Sequence, residues 1–232
     1  MARTEDVRQM FNRIAARYDL LNHLLSAGID RRWRRLLIRK LQQQDARQVL
    51  DVATGTADLA ILAAKRGIPH IVGVDIAEEM LAIGQRKVER QGLASVVTLK
   101  PARAEKLPFS DRSFDAVMVA FGVRNFEDLA LGLQEMCRVT RPGGMVAVLE
   151  FSTPKYFPLR QLYLLYFRHF LPLLGGWISG DRGAYQYLPD TVLAFPQGQT
   201  FIHRLEGAGY DQCRQRRLSG GIATLYTARK PG

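Results

Sequence analysis

At 232 residues the chain has room for one α/β domain with a full two-sided core. Its 47% apolar and 24% charged content is ordinary for a globular protein, and no run of 18 apolar residues exists to span a bilayer. The formal charge of +11 calls either for an anionic surface, nucleic acid or membrane, or for nothing beyond solubility. Cys137 and Cys213 stand outside any CxxC or other ligand spacing, which argues against a disulfide or a metal site and for a reducing cytoplasm. The N-terminus lacks the order of a secretory signal.

The first 45 residues read as helix. Val7, Met10, Phe11 and Ile14 recur at helical spacing after Thr4, an N-cap candidate, with Glu5 and Asp6 in the first turn. A second helix is expected after Asp30, with Trp33, Leu36, Leu37 and Leu41 inward and Arg31, Arg32, Arg34 and Arg35 as a basic cluster. From Gln48 the pattern becomes strand 49–52, helix 59–65, strand 70–74, helix 77–90, strands 96–100 and 114–119, helix 129–139 and strand 145–151. Arg141-Pro142-Gly143-Gly144 reads as the turn into that last strand. Continuous apolar strands in this rhythm mean a parallel sheet covered on both faces. An aromatic-rich insertion follows, then a helix over 200–205 and two strands around 210–218 and 222–229 that form a hairpin through Ser219-Gly220-Gly221. The chain is predicted as one domain in four stretches: a helical lid (1–45), a cofactor-binding core (46–152), a substrate or membrane insertion (153–197), and a closing helix and hairpin (198–232).

The strongest local signal is Val49-Leu50-Asp51-Val52-Ala53-Thr54-Gly55-Thr56-Ala57-Asp58-Leu59, a strand running into a small-residue turn and then a helix. In a doubly wound sheet such a turn faces the ligand crevice, and Gly55 lets the backbone approach a ligand closely. Gly55 is the turn's single glycine, so the GxGxxG fingerprint of a dinucleotide site is absent, which counts against a dehydrogenase. Asp75, ending the next strand, can accept hydrogen bonds from the hydroxyls of a ribose. The stretch Ala102-Arg103-Ala104-Glu105 can present backbone groups to an adenine edge, and Ala120-Phe121-Gly122 ends the strand beside the reacting centre. Each signal has a plain alternative: an ordinary βα turn, or an aspartate that merely forms one.

In this order the stretches resemble the class I S-adenosylmethionine methyltransferases over roughly residues 48–151. The flanks are more particular. Phe11-Asn12-Arg13-Ile14-Ala15-Ala16-Arg17-Tyr18-Asp19-Leu20-Leu21-Asn22, Ala120-Phe121-Gly122-Val123-Arg124-Asn125 and Val148-Leu149-Glu150-Phe151-Ser152 are similar to signatures of the ubiquinone/menaquinone biosynthesis C-methyltransferase family. The resemblance implies a mostly parallel seven-stranded Rossmann-like sheet with an antiparallel C-terminal hairpin, S-adenosylmethionine as cofactor, and methylation of a prenylated quinol ring carbon. Gly180-Asp181, Tyr187-Leu188-Pro189 and Gly221-Ile222-Ala223-Thr224 look closer to the menaquinone members, which favours demethylmenaquinol over a ubiquinone-pathway benzoquinol or another small molecule. By the same match Thr56, Asp75, Arg103, Ala104 and Ala120 fall at cofactor-binding positions, with Gly55 and Asp51 beside them. Ala57 stands where the family commonly has glycine, and a positive φ there would strain it.

A ring carbon becomes nucleophilic once the neighbouring phenol is ionised, so the site needs a base or a cation that stabilises phenolate. Arg124 and Asn125 are the candidates. Arg124 is too basic to take the proton, but it could lower the quinol's pKa while a water held by Asn125 relays it. Alternatively Arg124 pairs with a nearby carboxylate. Tyr18, Asp19 and Asn22 are expected in a lid, and His169 is either a base or incidental. The insertion around 156–171 reads as a helix lying on an anionic membrane, as a capping helix, or as a homodimer face. Nucleic acid is disfavoured because the arginines lie on predicted helices and the aromatics in one apolar insertion.

Overall fold

The computed structural model describes residues 4–25, 28–166 and 182–232, with backbone alone for 4, 16–25, 182–186 and 188. Two helices, α1 (Thr4–Leu25) and α2 (Asp30–Gln42), precede the alternating region. There follow β1 (Gln48–Val52), α3 (Asp58–Lys65), β2 (His70–Asp75), α4 (Glu78–Arg90), β3 (Val97–Pro101), β4 (Phe114–Ala120), a 3-10 turn (Val123–Asn125), α5 (Leu129–Val139) and β5 (Thr140–Phe151). The chain then forms α6 (Leu159–Leu165), α7 (Arg182–Ala194), α8 (Gln199–Gly207), β6 (Asp211–Leu218) and β7 (Ala223–Arg229).

The seven strands lie in the order β3-β2-β1-β4-β5-β7-β6. The first five are parallel, and β7 enters antiparallel between β5 and β6. The chain winds outward from β1 through β2 to β3, then returns to place β4 on the other side of β1. That reversal opens a crevice at the carboxyl ends of β1 and β4, where ligands of open α/β sheets bind.

Strand residues are apolar in unbroken runs because both faces are covered. Ala116 and Met118 of β4 pack with α2 and α3, against Trp33, Leu37, Leu41 and Leu59. Val117 and Val119 face the other way, against Leu133 and Met136 of α5 and Phe201 and Leu205 of α8. α1 lies across the crevice end, with Ala15 beside Ala77 and Met80, and Met10 and Ile14 beside Tyr163 and Val192.

Two local expectations are corrected. The segment Arg141-Pro142-Gly143-Gly144 is no separate turn: β5 begins at Thr140, which pairs with Phe114, and the register then jumps to Met145 opposite Ala116. The four residues form a bulge, in which Gly143 has φ +73° and a side chain on Gly144 would meet the Asp115 carbonyl at 2.7 Å. Arg34 does not belong to an exposed basic cluster. It is buried, pairs with Asp30 at 3.3 Å, and lies 5.5 Å from the Phe121 ring centre, leaving Arg31, Arg32 and Arg35 at the surface.

Candidate active site

The crevice is a cleft of about 650 Å³, open mouth included, a size suited to a nucleoside-bearing ligand. Its first wall is the turn after β1. Ala53, Gly55 and Ala57 have φ of +53°, +57° and +65°, so the chain coils tightly there, and Ala57 is the strained case the sequence left open. Gly122 meets this turn from β4, where a Cβ would fall 2.5 Å from that of Ala53.

Asp75 ties this wall to the next. Its Oδ2 accepts the Gly55 N–H at 2.8 Å and its Oδ1 accepts the Ala77 N–H at 2.9 Å. Each carboxylate oxygen has two lone pairs, so acceptor capacity remains on both for a vicinal diol. Burial raises the Asp75 pKa, opposed by the N–H groups of Ala77 and Gly55. Ile76 and Met80 add an apolar flank for a planar base.

Of the predicted site residues, Gly55, Asp75, Ala104, Ala120 and Asn125 line this one cleft. Asp51 and Thr56 lie beneath it instead. Asp51 is 1% exposed and accepts the Thr54 hydroxyl at 2.6 Å, while the Thr56 hydroxyl accepts from Lys87 at 3.2 Å. Both hold the turn from below, and Lys87 is also paired with Asp58. Arg103 does not line the cleft: its half-exposed side chain pairs at 2.7 Å with Glu127, which does, and its neighbour Ala104 forms the wall. The side chains of Tyr18, Asp19 and Asn22 lie outside the described residues, as does His169.

Burial, opposed by the Thr54 hydrogen bond and the Arg34 charge, pushes the Asp51 pKa up to about 7. An unfolded aspartate ionises near pH ~4. Between these values folding takes up a proton, so stability is greatest below the lower value and declines as pH rises through the upper one. Asp51→Asn, which keeps the acceptor for Thr54, should flatten this decline. Urea unfolding of both proteins from pH 5 to 8 measures it, and parallel pH slopes would contradict the assignment.

Arg124 does not face the cleft as a free cation. Its Nη1 lies 2.8 Å from the Glu150 carboxylate, with the two side chains 6% and 0% exposed, and the same nitrogen donates to the Phe121 carbonyl. The pairing alternative is the one the structure contains. Arg124 borders a second, apolar cleft between the 3-10 turn and α7, formed with Tyr187, Thr191, Ala194 and Phe195. Asn125 and Phe126 line both clefts, and the Asn125 Oδ1 accepts the Tyr187 hydroxyl at 3.1 Å. The sequence reading missed Glu127, Tyr187 and the cleft role of Val7 and Phe11. A helical apolar stripe flags Phe11 as core but does not say that part of the stripe roofs a ligand site.

The strand order, the antiparallel β7 and a buried carboxylate ending β2 beside a small-residue turn are those of a class I methyltransferase. The ubiE/COQ5 methyltransferase family model matches residues 1–230, and the chain belongs to that family. It is 47% identical to a demethylmenaquinone methyltransferase of Bacteroides fragilis, over 98% of this chain and 94% of the relative. It is 46% identical to a ubiquinone/menaquinone biosynthesis C-methyltransferase of Geobacter sulfurreducens, over 97% of this chain and 89% of the relative. Among solved structures it is similar to the [4+2]-cyclase SpnF, with TM-score 0.69, 17% identity, and 97% and 95% of the two chains covered. It is also similar to Haemonchus contortus phosphoethanolamine N-methyltransferase 2 in complex with S-adenosyl-L-methionine, with TM-score 0.58, 15% identity, and 80% and 49% covered. At these identities the solved structures speak for the fold alone. The chain is a methyltransferase that draws on S-adenosylmethionine, and the donor set fits that group: acceptors for a diol and an apolar slot for a base.

Proposed function

We propose that the enzyme methylates a ring carbon of demethylmenaquinol, where the cofactor cleft meets the apolar cleft beside α7. The observation that carries this reading is the 47% identity, over nearly the full chain, to a protein named for that substrate. The shared Asn125–Phe126 wall supports it, because it puts an apolar slot next to the reacting end of the cofactor cleft. A benzoquinol is the second reading, favoured by relatives whose name covers both quinones.

In this reading Asp75 and the Gly55 turn hold the donor, with Asp51 and Thr56 bracing the turn. Bound S-adenosylmethionine supplies an electrophilic methyl group on a sulfonium. The Asn125 carboxamide has its oxygen engaged by Tyr187, and its N–H groups are the donors it can offer a phenol oxygen or a water beside it. Phe11, Phe121 and Phe126 keep bulk water out, so charge developing on the ring oxygen is felt strongly by these donors. The Arg124–Glu150 pair fixes the segment carrying Asn125, with Arg124 bordering the apolar cleft.

We place the enzyme on the anionic, cytoplasmic face of a membrane. No helix among the described residues is long and apolar enough to cross one. Yet Tyr156 and Phe157 are 79% and 81% exposed, and Leu162 and Leu165 more than half exposed, next to Lys155 and Arg160. An apolar patch rimmed by cations suits the headgroup level and would admit a prenyl tail. A face between two copies is the other use of such a patch. The test is transfer of labelled methyl to reduced demethylmenaquinone and to the matching benzoquinol, in vesicles with and without anionic lipid. Label in the naphthoquinol, faster with anionic lipid, is expected. Label in neither ring would end the substrate reading, and equal rates in both vesicles would end the membrane one.

A further inference from the structure

We infer that Glu127, held in place by Arg103, is the residue that selects adenine in the cofactor by accepting a hydrogen bond from its exocyclic amine. This rests on the proposed seat of the cofactor in the main cleft. With the ribose at Asp75 on β2, and β3 next to β2 on the side away from β1, the base extends over the end of β3, where Ala102 and Ala104 line the cleft. Glu127 belongs to the loop after β4, yet it lines the same cleft.

Its position is built by an ion-pair and backbone clasp. The Glu105 Oε1 accepts the backbone N–H of Glu127 at 2.8 Å and that of Asp128 at 3.4 Å, pinning the later loop to the earlier one. Arg103 then lies between the two acids, 2.7 Å from the Glu127 Oε2 and 3.7 Å from the Glu105 Oε2. The Glu105 Oε1 is thus taken by the two backbone N–H groups of the clasp. The Arg103 contact at Oε2 fixes the position of the Glu127 carboxylate at the cleft. What faces the edge of the base is an anchored acceptor with no donor of its own.

Such a group distinguishes a donor from an acceptor at that edge. Adenine presents an amine at that edge, while its deaminated counterpart hypoxanthine presents a carbonyl, which a carboxylate repels. Arg103 acts here as a positioning residue and need not touch the base.

The test is calorimetric binding of S-adenosylhomocysteine and of S-inosylhomocysteine to the intact enzyme and to Glu127→Ala, Glu127→Gln and Arg103→Met. The intact enzyme should prefer the adenosyl ligand by at least about tenfold. Glu127→Ala should lose about tenfold for the adenosyl ligand and bind the inosyl one more tightly as the repulsion is relieved, and Glu127→Gln, whose amide can turn either way, should bring the two ligands within about threefold. Arg103→Met should narrow the preference partway. Retained inosyl binding shows that the variants are folded. An unchanged preference in both Glu127 variants, or none in the intact enzyme, overturns the inference. If Asp75→Asn also leaves binding intact, the cofactor's seat is wrong as well; if it abolishes binding, the failure is confined to Glu127.

Discussion

Asp75→Asn is expected to weaken S-adenosylmethionine binding at least about a hundredfold, with the fold retained. Two arguments converge on that size. A ribose diol gives two hydrogen bonds to a charged acceptor, each worth roughly 1.5–3 kcal/mol. The carboxamide also turns an N–H₂ toward either the Gly55 or the Ala77 N–H, both of which now point at carboxylate oxygens. A donor facing a donor costs more than a missing contact, and it loosens the turn the cofactor sits on. Titration calorimetry, with circular dichroism as the control for folding, measures the effect. Affinity within about threefold of the parent would remove Asp75 from the site.

The second large effect falls on stability. Arg124→Ala or Glu150→Ala should each cost about 3–5 kcal/mol, because truncating one partner of a buried pair strands the other charge in the core. Glu150 is wholly buried, and burial raises its pKa even against the Arg124 charge, so the carboxylate depends on that neighbour. For a chain of this length the cost corresponds to a fall in Tm of about 6–20 °C. Replacing the pair together, Arg124→Met with Glu150→Leu, should recover most of the stability while turnover stays low, since the Phe121 carbonyl loses its donor and Asn125 its fixed backbone. A single-variant loss below about 1 kcal/mol in calorimetry would mean that the pair is solvated.

Much of this was readable from local pattern. The turn from Val52 to Asp58, the aspartate ending β2 and the hairpin around Gly220 each announce themselves through residues close in sequence, where glycine, small residues and period-two alternation have few other uses. What escaped depends on partners far along the chain. That Arg124 pairs with a carboxylate was one of two readings, but the partner, Glu150, lies 26 positions away and nothing near Arg124 picks it out. Arg34 reads as one cation among four until the fold buries it against Asp30 and Phe121. Glu127 carries no motif, because its role comes from a clasp with Arg103 and Glu105 that only the sheet order brings together. The bulge at Arg141–Gly144 misled for a different reason: a proline and two glycines signal a departure from regular backbone, but not whether the strand resumes in the same ladder.

The two ends of the cleft are built from different materials. Beneath the end of β4, Phe121 stacks on Phe151 at 4.4 Å, with Trp33 6.2 Å from Phe121 and 6.4 Å from Phe151, so that floor is set mainly by shape. At the other end the clasp is an ion pair whose side chains are 48% and 43% exposed. Dissolved ions screen the second and hardly touch the first. Raising ionic strength would therefore slacken the grip on one end of a bound nucleoside while leaving the bed of rings unchanged, and the enzyme's tolerance of saline surroundings becomes a matter of holding its donor rather than of aligning it.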